Sequence, residues 1–149
     1  MLTILLIAAF PVASAAELEL SPEQSAMHRA LSHRDAAPPC EQVEGLSKTA
    51  VDDLKLLVAE VSAPPWVGMR AASCLIARHP LEITTELDTW VTDPGLIGLG
   101  MLTLNQIDTL PVELGTHVAA LALQEGPERL GAAKRLAKAE RPEIRELIK

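Results

Sequence analysis

Apolar residues recur along most of the chain at the spacing of one helix face, and proline divides them into short segments. Pro80, Pro111 and Pro142 follow one another at 31-residue intervals, and an acidic residue stands within two positions after each. This combination is typical of a helix start, because the ring presets φ and the carboxylate lies near the positive end of the helix dipole. A second series lies between the first, at Pro65, Pro94 and Pro127. Two interleaved series predict two helices in each repeating unit.

The predicted fold is all-α, an α-α superhelix of about three helix pairs with a capping helix at the end. An N-terminal helix is predicted over residues 22–33, because Ser21 can cap it and Pro22 suits its first turn. The paired helices are predicted over residues 49–61, 66–78, 81–91, 96–107, 112–124 and 128–139, with a last helix from Pro142.

The predicted helix over residues 96–107 is apolar on every side, since no charged residue stands between Asp93 and Asp108. A helix of this kind should sit in the middle of the stack. Gly98 and Gly100 weaken it as an isolated helix, each by about 1 kcal/mol relative to alanine. Their presence predicts that a neighbouring helix lies very close. Further along, Gly126 before a proline predicts a helix stop of the glycine-terminated kind.

The first sixteen residues carry no charge and end in small side chains, which is typical of a secretory signal peptide. A buried N-terminal helix is the alternative, because no Lys or Arg precedes the apolar run. The predicted organisation is a signal peptide over residues 1–16, an N-terminal helix and linker over 17–48, and a repeat domain over 49–149. After signal cleavage we expect a periplasmic or secreted protein with no stable membrane span.

Charge is unevenly placed along the chain, whose net formal charge is −7. Residues 17–127 hold 6 Lys and Arg against 16 Asp and Glu, a net of −10, whereas residues 128–149 hold 7 against 4, a net of +3. An acidic body disfavours nucleic acid as a partner. The basic stretch of Lys134, Arg135, Lys138, Arg141 and Arg145 fits either an acidic patch on a partner, an anionic lipid or an ordinary solvated face.

Cys40 and Cys74 are the two cysteines. In an exported chain such a pair predicts a disulfide, which would stabilise the fold by about 4 kcal/mol in the chain-entropy view. Two buried thiols that pack as small apolar side chains are the alternative.

Catalytic and cofactor chemistry has little support in the sequence. His28 and His33 are five residues apart, so they do not share a helix face as metal ligands would. Cys74 lies in a predicted packed helix without a neighbouring histidine. No glycine-rich phosphate loop and no Cys-x-x-Cys motif is present. We therefore expect no catalytic residue, no bound metal and no cofactor.

Two short segments carry a resemblance to known repeat proteins. They are Val67-Gly68-Met69-Arg70-Ala71-Ala72 with Leu75, and Leu130-Gly131-Ala132-Ala133 with Leu136. The pattern resembles the HEAT-like repeat family, in particular the short bacterial type also found in phycobilin-lyase-like repeat proteins. The middle copy departs from it, with Gly100-Met101 in place of an alanine pair. The resemblance covers residues 49–149 and implies an armadillo-like α-solenoid whose inner helices line a concave, protein-binding face. It does not imply lyase chemistry, because repeat similarity concerns packing.

These observations favour an exported, non-enzymatic scaffold or adaptor that binds another protein. Candidate partner-binding residues on its inner helices are Arg70, Arg78, Lys134 and Lys138. One alternative is an enzyme or cofactor-handling protein that uses the concave face as a pocket. Another is a structural cap or a fragment of a longer repeat array.

Overall fold

The computed structural model describes residues 18–149, and that part of the chain is helical, without a strand. Its helices are α1 (Pro22–Leu31), α2 (Cys40–Glu44), α3 (Ala50–Glu60), α4 (Trp66–Arg78), α5 (Thr84–Thr92), α6 (Ile97–Asn105), α7 (Val112–Gln124), α8 (Arg129–Leu136) and α9 (Pro142–Glu146). Short 3-10 turns at Pro80–Glu82, Pro94–Leu96 and Ile107–Thr109 join some of them. The predicted signal peptide lies outside the described residues.

Local sequence signals accompany the starts of α1, α7 and α9. Ser21 Oγ accepts a hydrogen bond from the backbone N–H of Gln24 at 3.1 Å, and the Gln24 side chain accepts one from the Ser21 N–H at 2.9 Å. This reciprocal capping box begins α1 as the sequence predicts. Pro142 occupies the first turn of α9, whereas Pro111 stands one residue before α7.

The start of α5 differs from the sequence prediction. Pro80 opens a 3-10 turn, and the α-helix begins only at Thr84. Between them Ile83 has φ −125° and ψ 26°, outside the helical range, and its side chain is fully buried. The chain therefore directs Ile83 into the core before the helix starts, a tertiary effect that the proline signal does not contain.

Helices adjacent in sequence pack in pairs, α3 with α4, α5 with α6, and α7 with α8. Contacts also run from one pair to the next, so that α4, α6 and α8 form one row and α5, α7 and α9 another. The N-terminal helix α1 packs against both α3 and α4. In the part of the chain that the structure describes, no helix is long and apolar enough to cross a membrane.

The 31-residue register of the sequence is matched by burial in α5 and α7. Leu87 in α5 and Val118 in α7 are 31 positions apart, and both are 0% exposed. Val91 and Ala122 have the same separation and are 4% and 2% exposed. The match does not extend to α4 and α6, because Val67 is buried whereas Gly98, 31 positions later, is exposed.

The predicted close approach holds at one glycine of α6 but not at the other. A Cβ added to Gly100 would lie 2.6 Å from the carbonyl oxygen of Trp90, so α6 touches the end of α5 there. At Gly98 the nearest atom is Met69 Sδ at 4.0 Å, which leaves room for a side chain. The expectation of a close helix at Gly98 is wrong, because Gly98 faces away from the core.

The helix stop predicted at Gly126 is present, because α7 ends at Gln124 and its C-cap is Glu125. Among the described residues no glycine has a positive φ, so the stop is not of the left-handed kind. A Cβ on Gly126 would collide with the Ala122 carbonyl oxygen and lie 2.9 Å from that of Val91. Gly126 therefore provides space where the chain passes between α5 and α7.

A disulfide between Cys40 and Cys74 confirms the predicted pairing, with a Cα–Cα distance of 5.5 Å. It links the start of α2 to α4, and Cys74 is 4% exposed. The N-terminal segment is therefore fastened covalently to the first helix pair.

Removing this bridge by the double substitution Cys40→Ser and Cys74→Ser should lower the free energy of unfolding by about 3–4 kcal/mol, because the unfolded chain loses its cross-link. Urea denaturation of oxidised wild-type protein and of the variant measures the difference. Equal midpoints would contradict a stabilising role for the bridge.

Candidate interaction surface

Helices α4, α6 and α8 lie side by side, and specific side chains fill the seams between them. Gln106 Nε2, just after α6, donates a 2.7 Å hydrogen bond to Ser73 Oγ of α4. On the other side of α6, the methyl of Met101 lies 3.1 Å from the position that a Cβ would take on Gly131 of α8. The absence of a side chain at Gly131 lets Met101 fill the seam.

One side of α6 is uncovered, although the sequence places this helix in the middle of the stack. Gly100, Thr103 and Leu104 are buried and define the side against the core. Ile97 and Gly98 are exposed, and Met101 and Leu102 are only half-buried. Helix α6 does lie between α4 and α8, but no other helix of the described residues covers this side. Its uncharged composition therefore produces an apolar patch on the surface.

Helix α8 extends this patch and adds positive charge. Ala132 and Leu136 face the core, whereas Leu130 is 71% exposed and Lys134 is exposed one turn later. We call Ile97, Gly98, Met101, Leu102 and Leu130 the apolar strip. We call Lys134, Arg135 and Lys138 the basic edge.

Arg135 joins the two parts, because its Nε donates to the sulfur of Met101 at 2.9 Å. Lys134 and Lys138 are exposed, and within residues 18–149 neither forms an ion pair. The nearby Asp108 accepts hydrogen bonds from the backbone N–H groups of Glu140 and Arg141, so its carboxylate is engaged with the start of α9. The ammonium groups of the basic edge thus remain available to solvent or a partner.

The other two candidate partner-binding residues make contacts within the chain. The Arg70 guanidinium donates to the carbonyl oxygens of Leu31 at 2.7 Å, of Asp35 at 3.1 Å, and of His33. These bonds satisfy carbonyls at and beyond the end of α1, where a helix leaves them without partners. A role for Arg70 in binding another protein stays a prediction, but its donors serve the packing of α1 on α4.

Arg78 lies in a charged cluster beside the disulfide. Its Nε donates to both carboxylate oxygens of Glu44 at 2.9 Å, and its Nη1 bonds Glu41. His79 joins the cluster through Glu44, with Nε2 at 3.1 Å from the carboxylate. Arg78 therefore helps to hold α2 against the end of α4, and its predicted partner role is likewise untested.

A second polar cluster lies at the start of α3, around Asp53. This carboxylate is 6% exposed and accepts hydrogen bonds from Gln24 Nε2 at 2.8 Å, Ser47 Oγ at 2.5 Å and Thr49 Oγ1 at 3.1 Å. Burial raises the pKa of the Asp53 carboxyl, but the three hydrogen bonds outweigh burial and hold its pKa below the ordinary value of 3.8. The cluster holds α1 against the start of α3, and these contacts account for the burial of the Asp53 carboxylate.

Metal binding finds no support in the described part of the chain. Residues 18–149 contain no group of three or more His, Cys, Asp or Glu side chains placed to hold an ion. Both cysteines are in the disulfide, and His117 pairs with Asp88 at 2.9 Å on the surface. Exposed apolar side chains also occur elsewhere in the described residues, as at Leu81 and Val112, but the apolar strip and the basic edge lie on neighbouring helices.

Because the folded pKa of Asp53 is lowered, its charged form adds stability that is present above pH 3.8 and lost as the pH falls through the folded value. Asp53→Asn should therefore lower the free energy of unfolding at pH 7 by about 1–3 kcal/mol and flatten its decline in acid. Urea titrations between pH 7 and pH 3 measure both effects. The exposed neighbour Asp52→Asn is the control, with an expected change below about 1 kcal/mol. Parallel pH profiles for wild type and Asp53→Asn would contradict this role.

Comparison with known proteins identifies no match. No family model, no curated protein and no solved structure matches the chain. The resemblance to HEAT-like repeats therefore depends on residues of this chain alone. The function of the chain is inferred from its own surface.

Proposed function

We propose that this chain is an exported, non-enzymatic helical-repeat protein that binds another protein on the row formed by α4, α6 and α8. It acts as a scaffold or adaptor in the periplasm or outside the cell. The observation that carries the proposal is the apolar strip. It consists of the uncovered side of α6, in the middle of this row, and of Leu130 on α8. Exposed apolar residues grouped on neighbouring helices of a folded protein are typical of an interaction site.

The proposed architecture is a short HEAT-like solenoid, with the three helix pairs as its units and α9 as its cap. Contacts between residues about one unit apart support it. Lys55 Nζ pairs with Glu86 at 2.8 Å, His117 with Asp88 at 2.9 Å, and Arg141 Nη1 donates to the Leu110 carbonyl at 2.6 Å. In a solenoid each repeat contacts its immediate neighbours, and the inner helices form a continuous binding surface.

The disulfide supports the proposed location, since such bonds persist in oxidising compartments outside the cytoplasm. The predicted signal peptide would provide the route of export.

The cavities of the described residues give little support to an enzyme. The apolar cavity between α5, α6, α7 and α8 has a volume of about 20 Å³, room for a single water molecule. Two wider clefts, of about 160 Å³ beside Asp108 and about 360 Å³ beside Asp53, have polar linings. Both of these carboxylates accept hydrogen bonds from within the fold. The uncovered side of α6 therefore carries the proposal of protein binding.

The test is a pull-down from periplasmic extract with the immobilised mature protein, residues 17–149. Wild type should retain a partner at modest salt, and Leu130→Ser should retain at least about fivefold less, because a central exposed leucine contributes about 1 kcal/mol or more to binding.

Leu81→Ser is the matched control. Leu81 is 70% exposed, against 71% for Leu130, but it lies in the turn before α5 and outside the apolar strip. Recovery of no partner, or equal losses in both variants, would count against binding on this surface.

A further inference from the structure

We infer that the apolar strip and the basic edge together form one docking site for an acidic segment of another protein, with apolar side chains on the strip and carboxylates on the edge. This inference rests on the proposed function and specifies the chemistry of the partner.

The spacing along α8 supports a combined site. Leu130 and Lys134 are four residues apart within α8, so they project from the same side of successive turns. Lys138 follows in the turn after the helix ends at Leu136 and is also exposed. Leu130 is the most exposed large apolar side chain of the described residues. An exposed apolar side chain and an ammonium group thus lie side by side on α8, with a second lysine just beyond its end.

The seam between α6 and α8 keeps the two parts together. Met101 of α6 fits over Gly131 and accepts a hydrogen bond from Arg135 of α8. Neighbouring helix axes are about 8–10 Å apart. A short ligand segment can therefore contact both helices at once.

The charge of the rest of the chain favours an acidic ligand at this place. Residues 17–127 carry a net charge of −10, whereas residues 128–149 carry +3. An acidic segment is repelled by most of the surface and attracted to the end that contains α8. Lys48 and the lysines of the basic edge all lack an ion pair within residues 18–149, but Lys48 lies in the acidic part of the chain, whereas Lys134 and Lys138 lie in the part with a net positive charge.

Two other occupants fit these observations less well. A symmetric dimer through this surface would bring two basic edges into one interface and leave their lysines without carboxylates. An anionic membrane would attract each lysine by about 1 kcal/mol. It would also repel the acidic body, which carries more charge than the basic edge.

The experiment selects displayed random 12-residue peptides on the immobilised mature protein and measures the affinity of the recovered peptides by fluorescence anisotropy. Recovered peptides should combine Asp or Glu with Leu, Ile, Val or Phe. The double substitution Lys134→Glu and Lys138→Glu should weaken their binding by at least about tenfold, and raised salt should weaken wild-type binding. Leu130→Ser should also weaken it.

The controls are Lys48→Glu, an exposed lysine at the start of α3, and Leu81→Ser. Neither should change the affinity by more than about twofold. Circular dichroism of each variant checks that the helices are intact.

The outcomes separate this inference from the proposed function. Apolar peptides without acidic residues, sensitive to Leu130→Ser but not to the lysine substitutions, would overturn the inference and leave the binding surface in place. Peptides insensitive to Leu130→Ser would overturn both. No recovered peptide would overturn the inference, and the pull-down would still decide the proposed function.

Two further measurements complete the test. Sedimentation with phosphatidylglycerol vesicles detects membrane binding, and light scattering detects dimers. If the protein sedimented with these vesicles, or formed dimers, and this required Lys134 and Lys138, a membrane or a second copy of the chain would be the occupant instead of an acidic segment. Neither is expected.

Discussion

The structure depends on how closely its helices approach, because their apolar sides are buried against neighbouring helices and against the next pair. Residues 18–149 have only Trp66 and Trp90 as aromatic residues, so aliphatic side chains and alanine must fill the core over short distances. Ala71 and Ala72 are fully buried in α4, and Gly100 brings α6 against the Trp90 carbonyl of α5. Wherever helices approach this closely, the small residues at the contact determine the packing.

Local signals in the sequence predict much of this fold. The bounds of α4 and α7 agree with their predictions because both helices are enclosed by breakers, among them Pro65, Pro111 and Pro127. The Cys40–Cys74 disulfide agrees with the prediction made from an even pair of cysteines and the expectation of export. Effects that depend on a distant neighbour are missed. The sequence contains Gly98 and Gly100 two residues apart, but only the folded chain distinguishes the exposed one from the one against α5.

The same limit applies to the candidate site. Arginine in a helix has the sequence pattern of a solvent-facing residue, yet Arg70 reaches the carbonyl of Leu31, which is 39 positions away, and packs α1 on α4. Lys134 and Lys138 are exposed as predicted, whereas Leu130, which the helical spacing predicts to face inward, is 71% exposed. The apolar strip was missed because an uncharged helix is ordinarily a covered one. Here the row of α4, α6 and α8 leaves α6 open on one side.

Close helix approach is tested most directly by comparing Gly98→Ala with Gly100→Ala in urea denaturation. The two substitutions make the same chemical change in the same helix, and alanine favours a helix over glycine by about 1 kcal/mol. The account predicts that Gly98→Ala leaves the free energy of unfolding unchanged or raises it, since the nearest atom is 4.0 Å away. Gly100→Ala should lower it by about 1–3 kcal/mol, because the new methyl meets a backbone carbonyl at 2.6 Å. Equal effects of the two substitutions would contradict the account.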